Sequence, residues 1–517
     1  MYMWYPSITL DYGHGIAKLI VGMTTAGSWF FYKLFMSPVK IKADQIYSKR
    51  AWDMGSDANY VGQTAGQFWT PAANVIHTMK KTNGIVVDQF VYKYQVKRHL
   101  FFASIFAKLF TKKDLTITPL QLTKGALVFG QMGAGKTVFF ENIIKQNRFF
   151  EFFQRMLFHD IKGDMTEKFY RPRKDIILNP FDARAAVWDM FGEESMGTVE
   201  LFFNAYMAAV QGKTKDFFTG SAKDRFMGLF EEIFIQSGDS KKKWQLFIDT
   251  LENYFEEVAK IDKGSEKDVA QTLRLQIKFF KMQNYLIQNG APLFTLKKYF
   301  SSSKMSIFML NNPEYAETLE PYFAGFVAAF TATLATKAET KNDFTLLLLD
   351  EYLSFLEVLP EKTVKQLHTL IRSKGGCLMA AIQYLPERSG EKNLHQNLMN
   401  SASWMFIFET TDNFTIREIQ KSVGKVEYQK INRSASTVHG STGYSARGNE
   451  NRSTERVELL NDDSMSNMNY HHLTYCRAEK LLYQGYTPMT KIEPKNKPFV
   501  KRDLNDFYRK LHIKKEQ

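Results

Sequence analysis

The octapeptide Gly130–Thr137 constrains this chain more than any other stretch, because it reads GQMGAGKT and meets the pattern G-x-x-x-x-G-K-[ST]. The apolar run Ala126–Phe129 precedes it, and a helix is predicted to start near Lys136. Glycines leave room for backbone N–H groups to converge on an anion, and the following helix points its positive end at the same place. The order of strand, loop and helix therefore predicts a phosphate-binding loop rather than an ordinary glycine turn.

Two side chains of this loop have predicted roles. The ammonium group of Lys136 would reach the β- and γ-phosphates of a nucleotide, and the hydroxyl group of Thr137 would be a ligand of Mg²⁺. A phosphate-binding loop alone predicts a nucleotide but no reaction.

The acidic pair Asp350–Glu351 points to hydrolysis, since it ends the apolar run FTLLLLDE (344–351). A buried strand would place Asp350 beside the phosphate-binding loop, where its carboxylate can hold the Mg²⁺ shell. Glu351 can polarise a water molecule for in-line attack on the γ-phosphate. A small-molecule kinase of this class would not need that second carboxylate.

Two further polar residues flank the next apolar run, CLMAAIQ (377–383). The amide of Gln383 could contact the γ-phosphate or water as well as an adjacent loop, and so report the nucleotide state. Arg372 leads into the run, and in a ring of subunits it could cross to the neighbour's γ-phosphate. A polar strand cap for Gln383 and a surface arginine for Arg372 are the alternatives.

Apolar runs of four to seven residues alternate with helical patterns from residue 115 onwards. They include ALVF (126–129), RMLFHD (155–160), DIIL (175–178), MSIFML (305–310), FTLLLLDE (344–351), CLMAAIQ (377–383) and WMFIFE (404–409). Runs without polar alternation are typical of a parallel sheet covered on both faces. Between about 195 and 300 the apolar residues recur at three- and four-residue spacing, which predicts an all-α insertion.

These patterns predict six segments. They are an N-terminal apolar segment 1–37, a linker or accessory region 38–114, the first part of a nucleotide-binding domain 115–194, an all-α insertion 195–300, the second part of the domain 301–490, and a basic tail 491–517. The stretch 432–456 is rich in Ser, Gly, Asn and Arg and is predicted to be a mobile loop, and the tail is predicted to be solvated.

The N-terminal segment has two interpretations. Ile16–Met36 is long enough to span a bilayer as a single helix, with Lys18 and Lys33 near its ends. Its strictly uncharged part, Leu19–Tyr32, contains several small polar residues, which favours a helix that lies on the membrane or is buried in protein. A net charge of +14 suggests an anionic partner, either nucleic acid or a membrane surface.

Several motifs match one known family in the same order along the chain. They are GQMGAGKT (130–137), HDIKGD (159–164), ILNPFDARAAVWDMF (177–191), the all-α insertion, FTLKKYF (294–300), LLLDEYLSF (347–355), RSKGGCLMAAIQ (372–383) and SASWMFIFETTD (401–412). Over roughly residues 115–490 the chain resembles the type IV secretion coupling proteins, the TraD/TraG-like ATPases of bacterial conjugation within the FtsK/HerA-like motor class. The family usually has two clear N-terminal membrane helices and sometimes a long acidic tail. This chain has one candidate helix and a short basic tail.

The resemblance implies a RecA-like P-loop NTPase domain with a mostly parallel sheet, interrupted by an all-α domain. It implies that ATP is bound by Gly130, Gln131, Met132, Gly133, Ala134, Gly135, Lys136 and Thr137, with Mg²⁺ held by Thr137 and Asp350. It also implies catalytic roles for Lys136 and Glu351, a nucleotide-sensing role for Gln383, and a trans arginine role for Arg372.

The resemblance further implies a homohexamer at the cytoplasmic face of the bacterial inner membrane. Its partners would be single-stranded DNA, a relaxase attached to that DNA, and the components of a type IV secretion channel. Three alternatives remain open: a coupling ATPase for protein effectors, a nucleotide-bound docking platform with little turnover, and a motor that pumps duplex chromosomal DNA.

Overall fold

A computed structural model describes most of the chain. The described residues are 41–43, 60–66, 79, 84–94, 112–211, 217–260, 265–353, 359, 361–385, 394–440, 443–460, 462–466, 468, 471–487 and 492–509. The predicted N-terminal segment 1–37, including the candidate membrane helix, lies outside these residues. Within the described part of the chain, no helix combines the length and apolar character needed to cross a bilayer.

The described chain alternates strands and helices. The strands are β1 Ile41–Ala43, β2 Tyr60–Gly66, β3 Ile85–Tyr94, β4 Lys112–Ile117, β5 Ala126–Phe129, β6 Arg155–Asp160, β7 Ile176–Ile177, β8 Val187–Trp188, β9 Leu293–Phe294, β10 Met305–Leu310, β11 Thr345–Leu349, β12 Gly376–Ile382, β13 Trp404–Ile407, β14 Lys425–Gly440, β15 Gly443–Glu458, β16 His471–Cys476 and β17 Leu481–Tyr486. The helices are α1 Pro119–Leu122, α2 Lys136–Phe150, α3 Asp164–Phe169, α4 Met196–Gln211, α5 Phe217–Phe234, α6 Ser240–Ala259, α7 Ser265–Gln288, α8 Leu296–Ser301, α9 Ala316–Thr336, α10 Glu361–Thr369, α11 Leu394–Ser401, α12 Asn413–Val423 and α13 Asp462–Ser466.

The chain divides into two compact units, each built from discontinuous segments. The first unit contains the described residues up to Thr118, together with Leu127–Ile143 and Gln383–Thr490. The second unit contains Pro119–Ala126, Ile144–Ile382 and the segment that starts at Lys491.

The second unit is built on parallel strands in the order β7-β10-β6-β11-β12. Arg155 lies opposite both Met305 and Thr345, and Thr345 lies opposite Gly376, so four strands begin at the same edge. These strands are buried nearly throughout, as unalternating apolar runs predict. The predicted α/β class with a mostly parallel sheet is confirmed.

Helices α4 to α7 lie in the segment predicted to be an all-α insertion, which also contains the short strand β9. They share an aromatic core with the segment before α4, in which the ring of Phe191 stacks on Phe230 at 4.2 Å. Helix α9 passes close to α4 because Gly325 has no side chain, and a Cβ there would lie 2.6 Å from the Phe202 ring. The helical segment belongs to the same compact unit as the parallel strands.

The first unit contains strands in the order β1-β3-β17-β16-β13-β5, with β4 beside β3. The pairs β13–β16, β16–β17 and β3–β17 are antiparallel. A separate sheet pairs β14 with β15 along their full length, and β14 with β2 at its start.

The prediction of a loop at residues 432–456 is wrong, because these residues form part of strands β14 and β15 except at the turn between the two strands. Its composition is that of a loop, but an antiparallel ladder is held by backbone groups that every non-proline residue carries.

The prediction of a solvated tail needs a correction at Leu504 and Phe507, which are buried, whereas the lysines of residues 492–509 are exposed. The backbone N–H of Val500 donates to a carboxylate oxygen of Asp182 at 3.0 Å, and Arg502 Nη2 donates to the Asp182 carbonyl at 2.9 Å. The side chain of Asp182 is fully buried and also pairs with Arg184 at 2.7 Å. The acidic partner of this basic segment lies more than 300 residues away, so local composition could not reveal it.

Candidate nucleotide site

The loop Gly130–Thr137 lies between β5 and the first turn of α2, as the sequence predicts. Gly133 and Gly135 have φ angles of 82° and 104°, a left-handed region that side chains disfavour. The first N–H groups of α2 have no acceptor within their own helix, and they lie at its positive end. The loop therefore presents an anion-binding set of backbone donors.

Phe408, which follows β13, lies directly beneath this loop. A Cβ atom on Gly130 would come within 2.8 Å of the Cβ of Phe408, and one on Gly135 within 3.7 Å of its ring. The backbone N–H of Phe408 donates to the carbonyl of Phe129 at 2.8 Å, and its ring stacks on His472 at 4.6 Å. These contacts fix the path of the loop and exclude larger residues at Gly130.

The ammonium group of Lys136 is buried and folds back over the loop. Its Nζ donates to the carbonyl oxygen of Gln131 at 3.0 Å and also to that of Gly130. A phosphate group offers stronger acceptors than these carbonyls, so the donor set fits a nucleotide phosphate.

The loop residue Gln131 is held by the segment after β13, a contact that the sequence did not predict. Its backbone N–H donates to the Glu409 carbonyl at 2.8 Å, and its Nε2 donates to Glu409 Oε1 at 2.9 Å. The hydroxyl group of Thr411 donates to Gln131 Oε1 at 3.2 Å. We call Gln131, Glu409 and Thr411 the loop clasp. A polar run at the end of an apolar strand was its only sequence signal.

In the second unit, Asp350 and Glu351 follow β11 directly. The N–H of Glu351 donates to Asp350 Oδ1 at 3.1 Å, and Glu351 adopts a left-handed φ of 50°. His159 Nδ1 lies 2.7 Å from the Asp350 carbonyl oxygen. Because a carbonyl oxygen only accepts, Nδ1 carries the proton. Burial lowers the pKa of His159 to about 4, so this histidine is a neutral support for the acidic pair.

A third carboxylate faces Glu351. Burial raises the pKa of Glu320 in α9, a hydrogen bond with Asn311 lowers it, and the charge of Glu351 raises it further. Glu351 therefore lies in an acidic environment. Among the residues that the structure describes, no group of three or more His, Cys, Asp or Glu side chains is arranged to hold a metal ion.

Asp160, at the end of β6, acts as a cap for α3. Its carboxylate accepts hydrogen bonds from the N–H of Gly163 at 3.0 Å and from the N–H and hydroxyl of Thr166 at 2.6 and 2.7 Å. Burial raises the pKa of Asp160 to about 6 despite these bonds.

The structure separates Arg372 from the acidic pair. Arg372 is exposed in the turn before β12, whose first residue Gly376 lies opposite Thr345, the first residue of β11. Arg372 therefore lies at the amino edge of the strands and Asp350 at the carboxyl edge, a separation of about 16 Å for a strand of this length. Gln383 directly follows β12, is half-buried, and belongs to the first unit with the loop.

The strand, loop and helix together define an α/β P-loop NTPase fold, and comparison with known proteins agrees. The bacterial conjugative coupling protein TrwB without its first 70 residues superposes with a TM-score of 0.60 at 14% sequence identity, covering 86% of this chain and 98% of TrwB. Plasmid coupling protein TrwB in complex with ADP and Mg²⁺ gives a TM-score of 0.59 at 14% identity, with 86% and 99% coverage. At this identity the likeness concerns the fold.

Sequence comparison gives the family. The model of the type IV secretion-system coupling protein DNA-binding domain matches residues 113–481. Coupling protein TraD of Escherichia coli (strain K12) is 24% identical in a 305-residue alignment that covers 54% of this chain and 41% of TraD. The chain thus belongs to the type IV secretion-system coupling protein family, and the matched segment spans about two fifths of that relative.

Proposed function

We propose that this chain is an ATP-hydrolysing coupling protein that recruits a relaxase–single-stranded DNA substrate and pumps it to a type IV secretion channel. The observation that carries the proposal is the phosphate-binding loop, with its glycine turns and folded-back Lys136, inside the segment that the coupling-protein model matches. TrwB has been solved with ADP and Mg²⁺ and with nucleotide analogues, which supports ATP as the fuel.

The local geometry of the loop supports the roles proposed for its residues. Backbone donors from Gly133 to Thr137 and the Nζ of Lys136 bind the phosphates, and Phe408 and the loop clasp hold the loop in shape. The Thr137 hydroxyl and the Asp350 carboxylate are the residues that would hold Mg²⁺, which neutralises phosphate charge when bound. That assignment rests on the two motifs.

Glu351 is the proposed base that orients the attacking water, because it directly follows Asp350 at the end of β11. Gln383 is the proposed sensor of the γ-phosphate. Arg372, exposed and far from its own acidic pair, is proposed to act on the neighbouring subunit of a homohexamer at the cytoplasmic face of the inner membrane.

The test is the ATPase rate of the full chain with and without single-stranded DNA, on protein whose oligomeric state is measured in parallel. Stimulation by single-stranded DNA, absent in Lys136→Ala, is the expected result. Turnover without stimulation would favour protein effectors as cargo. ATP binding without turnover would refute the motor and leave a docking platform.

A further inference from the structure

An exposed aromatic cluster lies in the second unit, at the edge where its parallel strands begin. Asp350 lies at the opposite edge, where these strands end. Phe149 and Phe150 end α2 with 83% and 65% of their surface exposed. Their ring centroids are 5.7 Å apart, and Phe150 lies 5.6 Å from Phe152. We call these three residues the aromatic knob. Two adjacent phenylalanines so exposed have no role in the nucleotide site or in the core.

Basic side chains lie on one side of the knob, on the loops that precede the neighbouring strands β10 and β7. They form a basic rim of Arg171, Arg173, Lys174 and Lys304. The loops are tied together: Lys304 N donates to the Gln154 carbonyl at 2.6 Å, and Arg171 donates to the Lys304 carbonyl. Adjacent strands lie about 4.8 Å apart, so knob and rim form one continuous surface.

Acidic charge on this surface is neutralised. Asp175 is fully buried between Arg148 at 3.1 Å and Arg171 at 2.8 Å. Glu151, the one exposed carboxylate at these three strand starts, pairs with Lys304 at 2.8 Å. Arg173 and Lys174 remain exposed, so the surface presents positive charge beside an apolar centre.

We infer that this surface docks on an anionic phospholipid membrane, with the knob inserted at the level of the headgroups and the rim on their phosphates. Apolar rings ringed by Lys and Arg are the side chains that bind such an interface. This surface belongs to the second unit, and its docking depends neither on ATP hydrolysis nor on DNA.

Two other partners fit this surface less well. The rings of the knob are tilted by 56° and 41° and contact one another, so they do not offer parallel faces on which successive bases could stack. Two copies that met through this same surface would bring two basic rims together, which disfavours that contact.

The test places a fluorophore on the knob of the full chain. Both native cysteines, Cys377 and Cys476, are buried, so Phe150→Cys can be labelled selectively with a polarity-sensitive dye. A matched control carries the dye at Ile235→Cys, a position outside this surface that is 76% exposed. Each protein is mixed with vesicles of phosphatidylcholine, with or without phosphatidylglycerol.

The expected result is a blue shift at position 150 that requires phosphatidylglycerol, is absent at position 235, and is lost at high salt. Substituting Arg173→Gln or Lys174→Gln should weaken the vesicle response about 5-fold each, since one basic residue near an anionic surface is worth about 1 kcal/mol. This readout is local, so an N-terminal membrane segment cannot produce it.

Four results would overturn the inference. The first is a dye at position 150 whose emission is unshifted on vesicle-bound protein, and the second is an equal shift at positions 150 and 235. The third is a shift at position 150 caused by single-stranded DNA without lipid. The fourth is blue-shifted emission at position 150 without lipid, either at all protein concentrations or increasingly as the protein concentration rises. The last would assign the knob to a segment of this chain or to a second copy. ATPase activity is measured on the same labelled proteins. Loss of the lipid response with normal ATPase activity would therefore contradict membrane docking and leave the proposed function intact.

Discussion

The loop clasp predicts how nucleotide affinity responds to substitution of Glu409. Glu409→Gln keeps an oxygen that can accept from Gln131 Nε2, whereas Glu409→Ala removes it. Both variants lose the same negative charge beside the phosphate-binding loop. The difference between them therefore isolates the hydrogen bond from the charge.

Both variants are uncharged, so the magnitude follows from one neutral hydrogen bond, which contributes about 0.5–1.5 kcal/mol. Glu409 and Gln131 are half-buried, so we take a contribution of about 1 kcal/mol. If the clasp holds the loop in its binding shape, Glu409→Ala should bind ATP about 5-fold more weakly than Glu409→Gln. Thr411→Val, which removes a longer bond of 3.2 Å, should change affinity by less than about 2-fold.

The assay is an equilibrium titration with a fluorescent ATP analogue and Mg²⁺, with a thermal melt of each variant as the control for folding. Glu409→Gln should bind as well as the parent protein or better, because a negative charge near the phosphates is gone. Equal affinity of the Gln and Ala variants would show that the clasp does not preorganise the loop, and the reasoning would be refuted.

Three further predictions concern turnover, DNA and pH. Glu351→Gln and Arg372→Ala should each bind ATP without turnover. Mixing the two variants should restore ATPase activity, because a trans arginine is worth several kcal/mol of transition-state stabilisation. If subunits are shown to exchange between rings and activity does not recover, Arg372 does not act at the neighbour's site. Affinity for single-stranded DNA should be nearly independent of sequence and fall with salt at a log–log slope of about −0.7 per phosphate neutralised, and a flat response would argue against the DNA motor. His159 has a folded pKa of about 4, below the ordinary 6.5, so the unfolded chain binds more protons between these values and stability falls as pH falls through them. His159→Asn, which can still donate to the Asp350 carbonyl, should reduce this acid loss by about 2 kcal/mol in urea unfolding compared between about pH 7 and about pH 4.5. An unchanged loss would refute the assignment.

The sequence was sufficient where local pattern decides structure. The unalternating apolar runs that became β5, β6, β11 and β12 were predicted because strands buried on both faces must be apolar at every position. The start of α2 at Lys136 was predicted because a glycine turn before Lys-Thr leaves few other conformations.

Contacts between distant segments were out of reach of the same reasoning. The partner of Gln131 lies 278 positions away at Glu409, and no local pattern marks one glutamate as a clasp. The ladder of β14 and β15 was hidden because backbone pairing leaves little trace in composition. The position of Arg372 at the amino edge required the register of β12 against β11, which motif spacing does not give.

The packing of residues 492–509 against Asp182 has a consequence for biosynthesis. The buried Asp182 carboxylate is satisfied in part by the backbone of Val500, so the second unit lacks this partner while the nascent chain is shorter. Every segment of the first unit leaves the ribosome before that partner does. The second unit therefore cannot be completed until this segment has been synthesised, and until then the surfaces that Leu504 and Phe507 later cover are exposed.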